Sequence, residues 1–108
     1  MDKCWYITSD GVKRNYIYDY NHQTIYLNYK DIVEINIPEG VKYLFITHNN
    51  IKHVTLPNSL IRLICYRNKI EHLELLINID LVMCDISTKI TNVEKIAKNN
   101  INVEIDYI

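Results

Sequence analysis

The sequence predicts a mainly β solenoid of ~19-residue units with one parallel sheet, a short N-terminal hairpin cap and one short C-terminal helix. Three observations predict it. The chain matches itself when slid by 19 residues, which is the signature of stacked repeats. Its apolar residues fall in short alternating runs, the pattern of strands with one buried face. Ile (19) and Asn (13) are its commonest residues, while Ala occurs once and Gly twice. So little Ala and so many β-branched and aromatic side chains disfavour a helical bundle.

The repeat is clearest in residues 41–59, VKYLFITHNNIKHVTLPNS, against residues 60–78, LIRLICYRNKIEHLELLIN. Val41 falls on Leu60, Leu44 on Leu63, Ile46 on Cys65, Asn49 on Asn68, Ile51 on Ile70, His53 on His72, Val54 on Leu73 and Leu56 on Leu75. One step back, Ile25, Leu27, Ile32, Ile35, Ile37 and Pro38 hold equivalent places. One step forward, Ile79, Val82 and Cys84 keep the register, which then needs about one extra residue to place Ile90 and Val93. Each unit reads as a strand of the form Leu44-x-Ile46, an Asn where the chain turns, a return across the core, and a second turn at Pro38-Glu39-Gly40 or Pro57-Asn58. The Asn amide suits bonding to the exposed backbone of the turn and of the neighbouring unit. Lys30 replaces this Asn in the first unit and Ser87 in the last, so the Asn ladder is expected to cover two units.

The chain divides into an N-terminal cap (1–21), repeats (22–98) and a C-terminal cap strand (99–108), all in one domain. In the cap, WYIT, SDG and VKRNYIYDY read as two strands joined by a turn. A degenerate first repeat is the rival reading, because Tyr6, Tyr16 and Tyr18 fall on Ile25, Ile35 and Ile37. Thr91 and Glu94 have the spacing of a capping box, opening a helix through about Lys98. VEIDY (103–107) makes a last strand, with Glu104 and Asp106 on one outer side, where they discourage edge-to-edge pairing.

The segment LPNSLIRLICYRNKIEHLEL (56–75) resembles the leucine-rich repeat, most closely the short variety with an LPxSLxxLxxxxNxL pattern found in secreted bacterial effectors and giant-virus proteins. The resemblance is specific in 41–75, fair in 22–40 and weak in 79–108, and Ile stands for Leu at many positions. It implies a protein-recognition solenoid in an intracellular setting, the cytoplasm of an infected host cell. The effectors often carry a separate catalytic domain with a nucleophilic cysteine. No segment here matches one, so that activity is not carried over.

Alternation also says which residues face solvent. With Leu44 and Ile46 inward, Tyr43, Phe45 and Thr47 point out; so do Arg62, Ile64 and Tyr66, then Leu81, Met83 and Asp85, and in the first unit Thr24, Tyr26 and Asn28. Tyr26, Phe45, Ile64 and Met83 form an apolar column, flanked by Tyr43, Arg62, Tyr66 and Leu81. Contiguous exposed apolar surface with aromatics, Met and Arg marks a protein contact. These eight residues are the expected partner-binding set, and the partner is another protein or a second copy in a homodimer. The competing arrangement has the N-terminal segment folded over this face.

Other chemistry is less well supported. A net charge of −1, from 12 basic and 13 acidic side chains, disfavours nucleic acid and a membrane surface. No apolar run approaches a membrane span, and MDKCWYITSD lacks a signal-peptide stretch. Three cysteines without a secretion signal suit a reducing compartment. Cys65 and Cys84 occupy one inward position of adjacent units, where a buried thiol acts as a small hydrophobe; Cys4 is expected to be inert. His53 and His72 stack at one outward position with His48 near in sequence, but zinc wants three or four ligands. No metal, no cofactor and no enzyme activity are expected, since neither a GxSxG, HExxH nor CxxC motif nor a glycine-rich phosphate loop occurs.

Overall fold

In the computed structural model, which describes residues 4–94 and 103–108, the repeats wind into a solenoid of about four turns. Among the described residues ten strands follow in order: β1 Cys4–Thr8, β2 Lys13–Tyr16, β3 Thr24–Tyr26, β4 Ile32–Asn36, β5 Tyr43–Phe45, β6 Arg62–Ile64, β7 His72–Leu73, β8 Leu81–Cys84, β9 Lys89–Ile90 and β10 Glu104–Tyr107. The main sheet has five strands in the order β10-β8-β6-β5-β3, every neighbouring pair parallel. Its register repeats the sequence period: Ile25 lies beside Leu44, Leu44 beside Leu63, and Leu63 beside Val82. Parallel neighbours must be joined by a long crossover, and here the crossover is the rest of each turn.

Each turn buries the same positions. Ile25, Leu44, Leu63 and Val82 are fully enclosed, as are Ile46, Ile51, Val41, Leu60 and Ile79 from the other sides of the coil. One core cluster runs the length of the solenoid. The shortest dimension of the molecule is 16 Å, room for one interdigitated layer of side chains between the sheet and the returning chain. No turn closes this layer alone, which is why the stack is the folding unit.

The predicted Asn ladder is present. Asn49 is buried; its Nδ2 donates to the carbonyls of Leu27 (2.9 Å), Ile46 (3.1 Å) and Thr47 (3.1 Å), and its Oδ1 accepts from the backbone N–H of Lys30 and Ile32, both at 3.0 Å. Asn68 repeats the pattern one turn on, donating to Ile46 (2.8 Å) and Cys65 (3.0 Å) and accepting from Ile51 (3.1 Å). Each amide therefore ties its own turn to the one before. Just before it, Tyr29, His48 and Arg67 take φ of 58°, 55° and 61°, a left-handed residue at the same place in three successive turns. That conformation costs a non-glycine residue about 1–2 kcal/mol.

The last turn departs from the expected register. Lys89 pairs with His72 and Ile90 with Leu73, so five residues separate Met83 from Lys89 where seven separate Ile64 from His72. The turn loses two residues instead of gaining one. Its capping is also reassigned. Ser87 is exposed, and Asp85 accepts from the backbone N–H of Arg67 (2.6 Å) and Asn68 (3.0 Å). Thr88 donates to Ile70 (2.7 Å), and Asn92 exchanges two bonds with the backbone of Leu75.

At the N-terminus β1 and β2 form the predicted antiparallel hairpin, Cys4 opposite Tyr16 and Ile7 opposite Lys13. This decides against a degenerate first repeat. The other edge of β1 pairs antiparallel with β4, the return segment of the first turn, so the hairpin caps the N-terminal end of the solenoid. At the other end β10 adds a parallel strand in register with β8, as the VEIDY segment predicts. The predicted helix enters helical backbone at Val93 and Glu94, and its continuation through Lys98 lies outside the described residues, as does the start of the 99–108 cap.

Candidate protein-contact face

The parallel pairing brings seven of the eight predicted residues onto one face; the eighth, Tyr66, lies past the end of β6, edge-on to His48. Tyr26 lies beside Phe45, Phe45 beside Ile64 and Ile64 beside Met83; Tyr43, Arg62 and Leu81 form the neighbouring column. Strands ~4.8 Å apart make both columns continuous. Tyr26 (60% exposed) and Arg62 are open to solvent, and the other six are half-buried. Two aromatic contacts organise the surface. The Tyr26 and Phe45 rings stack with centroids 4.3 Å apart and planes 8° from parallel. Arg62 reaches over Tyr43 at 5.9 Å and pairs with Asp80 at 3.6 Å. Both side chains are thereby held in place, which lowers the entropy lost on binding.

Thr47 is a correction: predicted to face out, it is 4% exposed. The strand ends at Phe45, and the tightening chain carries Thr47 inward, where its N–H donates to Asn28 Oδ1 at 2.8 Å. Asn28 is accordingly a structural cap, not a free surface group. The N-terminal hairpin docks on β4 and does not lie across the columns; the segment meets the face at its β3 end, through Tyr16 and Asp19.

Sequence reasoning missed two features. A second aromatic row runs beside the strand ends, where Tyr29 stacks on His48 (4.1 Å), its hydroxyl lies 3.2 Å from His48 Nε2, and His48 meets Tyr66 edge-on at 5.8 Å. The 19-residue spacing of Tyr29 and His48 carried that signal, but alternation does not extend past a strand end. The other is a concavity of about 540 Å³ at the N-terminal end of the strip, lined by Tyr16, Asp19, His22, Thr24, Tyr26, Tyr43, Phe45 and Arg62. Tyr16 arrives there from the hairpin, its hydroxyl accepting from Tyr26 N–H at 3.4 Å. His22 pairs with Asp19, and that hydrogen bond holds the Asp19 carboxyl below its ordinary range.

The remaining candidates separate. His53 and His72 are exposed on the return side with Lys52, Lys69 and Glu71, while His48 belongs to the aromatic row on the other side. No group of three or more metal-ligating side chains occurs among the described residues. Cys4, Cys65 and Cys84 are buried free thiols. Burial pushes Cys4 and Cys84 up to about 11 and raises Cys65 further, so all three are protonated at neutral pH. A thiol so raised is a poor nucleophile. The arrangement offers a shaped apolar and aromatic surface. Against known family models, curated proteins and solved structures, the chain matches none.

Proposed function

We propose that the chain is a protein–protein interaction module that binds through the outward face of its parallel sheet and catalyses no reaction. The in-register column Tyr26, Phe45, Ile64 and Met83 carries this reading: it is contiguous and apolar, and its two aromatic rings stack. The ~19-residue turn supports a repeat of leucine-rich type, and with it an intracellular, cytoplasmic setting; a host-cell setting rests on the resemblance in 56–75 alone. Phe45→Glu tests the face. The variant is expected to keep the wild-type circular dichroism spectrum and lose the proteins that cross-link to the wild-type chain in cells. An unfolded variant would make Phe45 a core residue and end the reading.

Self-association is the second reading, and one observation favours it. β10 is the outer strand of the sheet, and Ile86 (82% exposed), Tyr107 (50%) and Ile108 (52%) cluster beside it. Light scattering behind a sizing column separates the two. A constant 12.9 kDa over a tenfold concentration range leaves the face free for a foreign partner, and twice that mass assigns it, or the β10 edge, to a second copy.

A further inference from the structure

We infer that the partner of this face presents a basic side chain next to its apolar contacts, seated over β10. The inference rests on the reading of the strip as a docking face and adds the chemistry of what docks. It comes from how the columns end. β10 pairs with β8 so that Glu104 sits beside Leu81 and Asp106 beside Met83, while Ile105 sits beside the buried Val82. The apolar column therefore runs directly onto Asp106 and its neighbour onto Glu104. The two carboxylates are two residues apart on one strand face, ~6.6 Å along it.

The nearby acids already have partners. Asp80 pairs with Arg62, and Asp85 caps the backbone N–H groups of Arg67 and Asn68. Among the described residues, none of the ion pairs reaches Glu104 or Asp106. Glu104 is exposed and Asp106 half-buried. A purely apolar partner that covered Met83 and Leu81 would also strip water from the adjoining carboxylates and leave them unpaired, which is costly. A partner with Lys or Arg there replaces the lost water with charge-assisted hydrogen bonds, and a planar guanidinium suits two carboxylates best. The face is thus complementary to an apolar-plus-basic segment and selects against an apolar one. Spacing follows from the sheet. Asp106 is three strands from Phe45, so the basic group lies ~14 Å from the side chain that contacts Phe45.

The test uses the full chain and a displayed library of random twelve-residue peptides, followed by synthetic copies of the selected sequences. Peptides whose binding is lost with Phe45→Glu are expected to carry Lys or Arg beside apolar residues. Their Kd should rise roughly tenfold on Glu104→Gln with Asp106→Asn, a size usual for a charged hydrogen bond. Replacing the peptide's own basic residue by Gln should cost the same, and combining both changes should cost no more than either. Glu104 is exposed, so Glu104→Gln alone serves if the double variant loses its fold. Phe45-dependent peptides that lack basic residues, or that ignore the carboxylate changes, would overturn this inference and leave the docking face standing. Peptides indifferent to Phe45→Glu would overturn both.

Discussion

Asn49 shows how much one side chain can hold in a solenoid. Its amide serves three carbonyls and two N–H groups from two successive turns, and all of these bonds but the one from Lys30 are buried. Removing a partner from a buried polar group costs about 1–3 kcal/mol for each group stranded. Asn49→Ala is therefore expected to lower unfolding free energy by at least about 3 kcal/mol in urea titrations, far more than Asn50→Ala, whose amide bonds only the exposed Asp31. The thiols make a second residue-scale prediction. Their pKa values are raised in the fold, so between about pH 9 and 11 the unfolded chain has released protons that the native chain still holds. Stability must then fall as pH rises through that window, by up to about 1.4 kcal/mol per pH unit for each thiol. Urea titrations from pH 8 to 10 should show the fall, and Cys65→Ala with Cys84→Ala should reduce it to the share of Cys4. An unchanged slope would mean that the thiols titrate normally.

At the scale of the element, strands of two to five residues do not persist by themselves, and position in the stack decides their worth. β6 has a strand on both sides, and its Leu63 is fully enclosed. β10 has one neighbour, and its Ile105 is half-buried. Leu63→Ala is expected to cost about 3–5 kcal/mol and Ile105→Ala well under half of that, read from thermal or urea midpoints. Equal losses would mean that the end of the sheet is as tightly packed as its middle. The shortened last turn fits the same logic. Near the end of the stack only one neighbour has to be matched, and Asp85, Thr88 and Asn92 supply from side chains the bonds that two missing residues no longer give.

At the scale of the whole molecule, the repeat was legible because stacking imposes it. Any residue that faces the core of one turn faces an equivalent residue in the next, so Leu44, Leu63 and Val82 had to fall at equal spacing. The same rule puts Tyr26, Phe45, Ile64 and Met83 in one column. Legibility stopped where residues answer to something other than the adjacent strand. Thr47 turns inward because the chain tightens beyond β5, and Ser87 yields its capping place to Asp85 because the last turn is short. The pairing of β1 with β4 joins residues some 30 positions apart with no periodic mark, so nothing local could announce it. The solenoid, its period, its core and the face its strands present follow from alternation and spacing along the chain. Which segments meet across the fold set the rest: the cap pairs with β4 at the first turn instead of lying across that face, and the apolar strip runs onto two carboxylates without an ion-pair partner among the described residues, because both depend on contacts between distant parts of the chain.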